Sequence, residues 1–126
     1  MENAKVDSSN FIIPFTRYED KGIRKTAFFH LGKLRTPERF INIFISGLQD
    51  KSSQVVDTTI QALSDIANKK LLKYYKQVAL KYPKETDYIL CNLKHNLKAY
   101  NLSLDKIRSI SYEELENFPP TKWYQF

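Results

Sequence analysis

One helical pattern of apolar residues occurs more than once in this chain, and this recurrence constrains the fold more than any other feature. The segment GIRKTAFFHLGKL, residues 22–34, aligns with QVVDTTIQALSDI, residues 54–66, at a shift of 32 that places Leu31 on Leu63. A third and weaker copy, DYILCNLKHNLKAY, spans residues 87–100. Recurrence at such a period indicates a repeat protein, and an ordinary helical bundle is the alternative.

The segments around these copies also have the start and stop signals of helices. A first helix is predicted from about Asp20 to Leu34. A second follows Thr36, which suits an N-cap, with Pro37 in its first turn. Further helices are predicted over about 52–68, 69–82 and 85–100, with one short helical turn over 111–118. The predicted organisation is one domain, with an N-terminal segment (1–19), repeat 1 (20–50), repeat 2 (51–83), and a partial third repeat and tail (84–126).

Composition narrows the class of protein. The chain has 126 residues, the size of a single domain, and its few Gly and Pro residues suit helices. It has neither a run of about 18 apolar residues nor an apolar leader at its N-terminus, so no membrane association is predicted. Cys91 is the single cysteine and lies in an apolar run. We expect it to be buried in a protein of the reducing cytoplasm.

The sequence has little that points to catalysis. His30 and His95 have no second histidine or cysteine at the spacing of zinc ligands, and the three glycines do not form a phosphate-binding loop. Cys91 and His95 are four residues apart, which is a possible nucleophile geometry, but a helix with a buried Cys and a surface His is by far the commoner explanation. We therefore predict a protein that is not an enzyme and has no cofactor and no metal.

The charge is concentrated in the middle of the chain. Residues 69–98 contain eight lysines against Glu85 and Asp87, and this balance equals the net charge of +6 of the whole chain. A basic helix face of this kind suits an acidic partner, although a solvated surface is the commoner explanation. The helix predicted over 69–82 has its apolar side at Leu71, Tyr75, Val78 and Tyr82, and the lysines at 69, 73 and 76 are expected to point away from it. The predicted partner-binding residues are Arg35, Arg39, Lys69, Lys73, Tyr74 and Lys76.

These segments resemble the HEAT-like family of short helical repeats. In that family an apolar residue, often with Arg, opens the first helix, and a loop of Leu-x-Asp character precedes the next repeat. Arg24, Leu48 and Asp50 match these positions, whereas Val56 and Asp57 stand where the second copy would carry Arg. The period of 32 is shorter than is usual for HEAT units and also suits tetratricopeptide repeats, whose Trp and Tyr positions are not matched. The resemblance implies an all-α, right-handed solenoid of two to three antiparallel helix pairs, about five main helices and a short C-terminal one.

The resemblance also implies a binding function, because such stacks bind macromolecules, most often on the face of the second helices. The first hypothesis is a non-catalytic protein-binding module, possibly a small inhibitor or immunity protein that neutralises a toxin domain with an acidic surface. The second is a nucleic-acid-binding protein whose lysines contact phosphates. An enzyme is the third and weakest hypothesis.

Overall fold

A computed structural model describes residues 8–84 and 87–118, and within these ranges every regular element is a helix and no strand occurs. The prediction of an all-α fold is confirmed. The chain divides into two compact units, Met1–Ala62 and Leu63–Phe126. The α-helices of the first unit are α1 (Ser9–Ile12), α2 (Lys21–Leu31), α3 (Ile41–Leu48) and α4 (Ser53–Ala62), and those of the second are α5 (Leu72–Lys81), α6 (Tyr88–Leu97), α7 (Leu104–Ser109) and α8 (Tyr112–Glu116).

Short 3₁₀ helices extend several of these elements. They span Ile13–Arg17, Pro37–Phe40, Lys69–Leu71 and Lys98–Tyr100. The described residues therefore contain eight α-helices, more than the five main helices and one short helix predicted, because α1 and α7 were not expected. Both have only one to two turns, which is too short for a helical period to stand out.

In the first unit, α2 and α4 lie side by side and run in the same direction. Arg24, near the amino end of α2, bonds to Asp50, which precedes α4. At the other end, Gly32 caps α2 and approaches the last residue of α4 so closely that a Cβ on Gly32 would lie 2.6 Å from the Cβ of Ala62. The segment from α1 through Arg17 packs against α2 and α3.

Arg24 is held by four hydrogen bonds. Its Nε donates to Asp50 Oδ2 at 2.8 Å, its Nη2 donates to Asp50 Oδ1 at 3.0 Å, and its Nη1 donates to the carbonyls of Tyr18 and Glu19, both at 2.7 Å. Asp50 also accepts from the backbone N–H of Ser52 at 2.8 Å. The hydrogen bond to Asp50 raises the pKa of Arg24, so the guanidinium stays charged. We call these contacts of Arg24 with Asp50 and with the carbonyls of Tyr18 and Glu19 the Arg24 clamp. The clamp joins the start of α2 to the segment that leads into α4.

Gly47 allows α3 to approach the two longer helices of the first unit. A Cβ at this position would meet Thr59 Oγ1 and would lie 2.9 Å from the ring of Phe28. Phe28 packs in turn against Phe44, with ring centroids 6.3 Å apart. The glycine, which the sequence presents only as a cost to helix stability, is therefore required by close packing. The buried core of this unit includes Phe28, Leu31, Phe44, Val55, Val56 and Ile60.

The second unit is built around α5, against which α6, α7 and α8 all pack. Of the four residues predicted for the buried side of this helix, Leu71, Tyr75 and Val78 are buried. Tyr82, which follows the helix, is only half-buried. The remaining core of the unit is supplied mainly by Leu72, Leu90, Leu93, Leu97 and Ile107.

Tyr100 gives a physical reason why the helix predicted to reach residue 68 ends earlier, at Ala62. The Tyr100 hydroxyl accepts from the N–H of Asn68 at 2.8 Å and lies 3.1 Å from the Asn68 carbonyl, to which it donates. Asn68 is extended, with φ −144° and ψ 120°, and its side chain accepts from the N–H of Lys70 at 2.9 Å. The chain must leave the helical conformation before Asn68 and begin a new helix after it.

Among the described residues of the second unit, Tyr75 is the largest fully buried side chain. Its hydroxyl accepts a hydrogen bond from Asn96 Nδ2 at 3.2 Å, and its ring meets Tyr100 edge-on with centroids 6.4 Å apart. Burial raises the pKa of Tyr75 well above its ordinary value, because the phenolate would lose its hydration there. The phenol therefore stays protonated in the folded protein.

Candidate functional site

The candidate site is the exposed side of α5 and of the 3₁₀ turn before it, which we call the α5 lysine face. Positions 73, 77, 80 and 81 fall on one side of the helix because they are spaced three and four residues apart. No carboxylate occurs between residues 69 and 81. Within residues 8–84 and 87–118, Lys69, Lys70 and Lys73 form no ion pair. The exposed residues of this face are Lys69, Lys70, Lys73, Gln77, Leu80 and Lys81.

Lys76 does not belong to the exposed surface, and the expectation that it points to solvent beside Lys69 and Lys73 is wrong. It is only 7% exposed. Its Nζ donates to the carbonyls of Arg108 at 2.7 Å and Ile107 at 3.3 Å, at the end of α7. The last carbonyls of a helix lack partners within the helix and carry the negative end of its dipole, so a buried ammonium is well placed there.

Tyr74 and Leu80 add apolar surface beside the lysines. Tyr74 is half-buried, and the Lys73 Nζ lies 5.2 Å from the centre of its ring. Leu80 is 51% exposed. Sequence reasoning selected Lys69, Lys73 and Tyr74 but omitted Lys70, Leu80 and Lys81. Lys81 follows Lys73 at two spacings of four and so could have been found, but helical spacing does not separate it from Lys76, which lies three residues after Lys73.

The two predicted arginines lie in the first unit, whereas the α5 lysine face belongs to the second. Arg35 and Arg39 are both exposed. The guanidinium carbon of Arg39 lies 5.1 Å from the centre of the Phe40 ring. Thr36, predicted to cap the following helix, makes no side-chain capping hydrogen bond, since that helix begins as a 3₁₀ turn at Pro37. The role of both arginines in binding stays a prediction.

The groups considered for catalysis are dispersed. His30 and His95 are exposed. Cys91 is also exposed, which corrects the expectation of a buried thiol, because α6 turns Leu90 and Leu93 inward and leaves position 91 on the outer side. In the part of the chain that the structure describes, no three His, Cys, Asp or Glu side chains are grouped to hold a metal ion.

No described helix is both long enough and apolar enough to cross a bilayer. The C-terminal tail that contains Trp123 lies outside the described residues, as do Glu85 and Thr86. Comparison with protein-family models, with curated proteins and with solved structures gives no match. The contacts and charges of the described residues are therefore the basis for assigning a function.

Proposed function

We propose that this protein is a non-catalytic protein-binding module that engages an acidic surface of its partner through the α5 lysine face. The observation that carries the proposal is the composition of that face: four exposed lysines without an intervening carboxylate, with an exposed leucine beside the last of them. Like charges on one face add their fields, which speeds encounter with a surface of the opposite sign. The lysines at positions 69, 70, 73 and 81 steer the partner, and Leu80 supplies an apolar contact beside Lys81.

Two features of the same face favour a protein over a nucleic acid. Leu80 offers apolar surface that phosphate contacts do not need, whereas protein interfaces have an apolar centre with a polar rim. Tyr74 is half-buried, and Lys73 lies near its ring. Binding of single strands relies on aromatic rings that are open to stacking by bases, and Tyr74 offers little of its ring for that purpose.

The architecture that we propose is a HEAT-like stack. Parallel packing of α2 and α4 within the first unit supports it, since successive repeats of such a stack place their first helices side by side. The Arg24 clamp also supports it, because it links the Arg and Asp positions on which the resemblance to this family rests. The narrower role that we propose is that of a small inhibitor or immunity protein that covers an acidic surface of a toxin domain.

Charge reversal on the face tests the proposal. We compare the native chain with Lys69→Glu/Lys73→Glu and with the control Lys94→Glu/Lys98→Glu, which reverses two exposed lysines at the same spacing of four in the same unit. Each chain is used as bait in the native source, followed by mass spectrometry. A true partner binds the native chain and the control and is lost with Lys69→Glu/Lys73→Glu. A partner retained by all three chains would contradict the proposed face.

The nucleic-acid hypothesis is tested with the same chains. Anisotropy with random duplex and single-stranded oligonucleotides measures affinity as salt is raised. A phosphate-binding face would lose roughly one decade of affinity per decade of salt for each contacted phosphate. Micromolar binding of either oligonucleotide at physiological salt would favour nucleic acid over a protein partner.

A further inference from the structure

A second exposed surface lies in the first unit, where the N-terminal helical segment meets α2. The two elements enclose an open groove of about 410 Å³. Its lining is almost wholly apolar: Phe11, Ile12 and Phe15 form one wall, and Ile23, Ala27 and His30 are on the other. We call it the α1–α2 groove.

The aromatic residues of this groove are unusually exposed. Phe11 is 71% exposed and Phe15 is 43% exposed, and Ile23 faces them across the groove. Each isolated exposed apolar side chain is ordinary, but a contiguous apolar patch of this kind marks a binding surface.

The shape of the groove matches a helix. The α2 wall is a stripe of residues at 22, 23, 26, 27 and 30, which runs for about two turns, or roughly 12 Å at 1.5 Å per residue. The opposite wall is itself helical, since it consists of α1 and the 3₁₀ segment that follows. The apolar ridge of an amphipathic helix fits such a channel between two helical walls.

The elements that form the groove carry more exposed positive than negative charge. Lys25 and Lys33 each lie three residues after a lining position of α2, Gly22 and His30, and so are on neighbouring surface of that helix. Among the exposed charges of residues 8–33, four are cationic (Arg17, Lys21, Lys25 and Lys33) and two are acidic (Glu19 and Asp20), a balance of +2. The Asp20 carboxylate is already engaged, since it accepts from the N–H groups of Gly22 and Ile23 at the start of α2. Lys25, Phe29 and Lys33 follow one another at spacings of four residues along α2, and the Lys33 Nζ lies 5.2 Å from the centre of the Phe29 ring.

We propose that the α1–α2 groove binds an amphipathic helix of a partner protein, with the apolar ridge of that helix between the phenylalanines and Ile23 and with its acidic flank against Lys25 and Lys33. Charge complementarity selects this occupant over a second copy of the chain, because the excess positive charge on the elements that form the groove would repel the same elements of another copy. This inference does not depend on the α5 lysine face, since the two surfaces consist of different residues.

Two synthetic peptides test the proposal on the full chain. Both have 16 residues, with Leu at helical spacings of three and four. The first carries Glu at the flanking positions and the second carries Lys at the same positions. Anisotropy of the labelled peptides at low salt should give at least about tenfold tighter binding of the Glu-flanked peptide, which corresponds to about 1.4 kcal/mol.

Four variants locate the binding site, with far-UV circular dichroism as the check of folding. Phe11→Ala should weaken binding of the Glu-flanked peptide about tenfold, as truncation of a central anchor does. Tyr88→Ala, which truncates an exposed ring of α6, should leave the affinity within about twofold. Lys25→Glu/Lys33→Glu should reverse the preference between the two peptides, whereas Lys94→Glu/Lys98→Glu should preserve it.

Three results would overturn the proposal. The first is equal binding of the two peptides, or binding of neither. The second is native affinity in folded Phe11→Ala. The third comes from sedimentation velocity: a dimer of the native chain that Phe11→Ala dissociates would make a second copy the occupant of the groove.

Discussion

Lys73 and Lys76 lie three residues apart on α5, and their surroundings differ completely. The Lys73 ammonium lies near the Tyr74 ring on the exposed side of the helix, while the Lys76 ammonium is buried against the carboxyl end of α7. Residue type and helical spacing alone do not distinguish them, because a long lysine side chain at the edge of an exposed face can reach either solvent or a neighbouring helix.

Substitution of these two lysines should have unequal effects. In Lys76→Met the carbonyls of Ile107 and Arg108 lose their charged donor, so the free energy of unfolding should fall by about 1.5–3 kcal/mol. Lys73→Met should change it by no more than about 0.5 kcal/mol. Urea unfolding followed by circular dichroism measures both values. Equal effects would mean that the contact of Lys76 with α7 does not stabilise the second unit.

Tyr75 should make stability depend on alkaline pH. The unfolded phenol ionises near its ordinary pKa of 10.0, whereas burial keeps the folded one protonated at that pH. Above about pH 10 the unfolded state therefore binds fewer protons than the folded state. The free energy of unfolding should decrease by about 1.4 kcal/mol per pH unit from this group.

The Tyr75→Phe variant isolates this contribution. Its stability should decline less steeply above pH 10 than that of the native chain, in urea titrations at successive pH values. Tyr88→Phe is the control, because Tyr88 is exposed and its substitution should leave the slope unchanged. An identical slope in the native chain and in Tyr75→Phe would contradict the assignment.

Helix starts were predictable at two residues and not at a third. Asp20 accepts from the N–H groups at the start of α2, and Ser111 accepts from the N–H of Glu114 at 3.1 Å, where the first helix and the short C-terminal helix are predicted to begin. Thr36 was predicted to cap the helix after it but makes no side-chain capping hydrogen bond. The surroundings of Lys76 and Cys91 were not predictable. They depend on which side of α5 or α6 faces the rest of the second unit, and this orientation follows from tertiary packing.

At the scale of helices, the repeated apolar pattern located both ends of α2 and α6 and the start of α4 within about three residues. It did not reveal α7, because Leu104 and Ile107 are the only buried residues in its six-residue span. It also extended the helix of α4 to residue 68. A long helix can be predicted from the helical spacing of its apolar residues, whereas its ends depend on contacts with distant residues, such as that between Tyr100 and Asn68.

Gly47 tests the packing of α3. In an isolated helix, Gly47→Ala would be favourable by up to about 1 kcal/mol. Here the added methyl group meets Thr59 and the Phe28 ring. The variant should therefore be less stable than the native chain by about 1–3 kcal/mol, as measured by urea unfolding.

The neighbouring Ser46→Ala is the control for Gly47→Ala. Ser46 is exposed, so its substitution should change stability by no more than about 0.5 kcal/mol. A stabilised Gly47→Ala variant would show that α3 does not approach α2 and α4 closely in solution.

At the scale of the whole molecule, the all-helical class was predictable from the helical period and the few glycines and prolines. The division into two compact units was not predicted, and a single domain over residues 1–126 stays a prediction. The aligned leucines Leu31 and Leu63 fall in different units, and both are fully buried. These two positions therefore probe how the chain unfolds.

Leu31→Ala and Leu63→Ala should each lower the free energy of unfolding by about 2–5 kcal/mol, because each removes a buried side chain and leaves a cavity. If the chain is one domain, calorimetry should show a single transition that both variants shift to lower temperature. Two transitions, of which each variant shifts only one, would contradict the single domain. An unchanged midpoint in either variant would contradict the repeat alignment.

The Arg24 clamp has a consequence for the order in which the two units can fold during synthesis. All its atoms belong to residues between Tyr18 and Asp50. When Arg24 leaves the ribosome, its side chain can bond only to the carbonyls of Tyr18 and Glu19. The two hydrogen bonds to Asp50 can form only after Asp50 has also emerged. Once α4 has followed, the first unit has every partner that its clamp requires while the second is still being synthesised. The N-terminal unit is therefore equipped to fold during translation, ahead of the residues that carry the α5 lysine face.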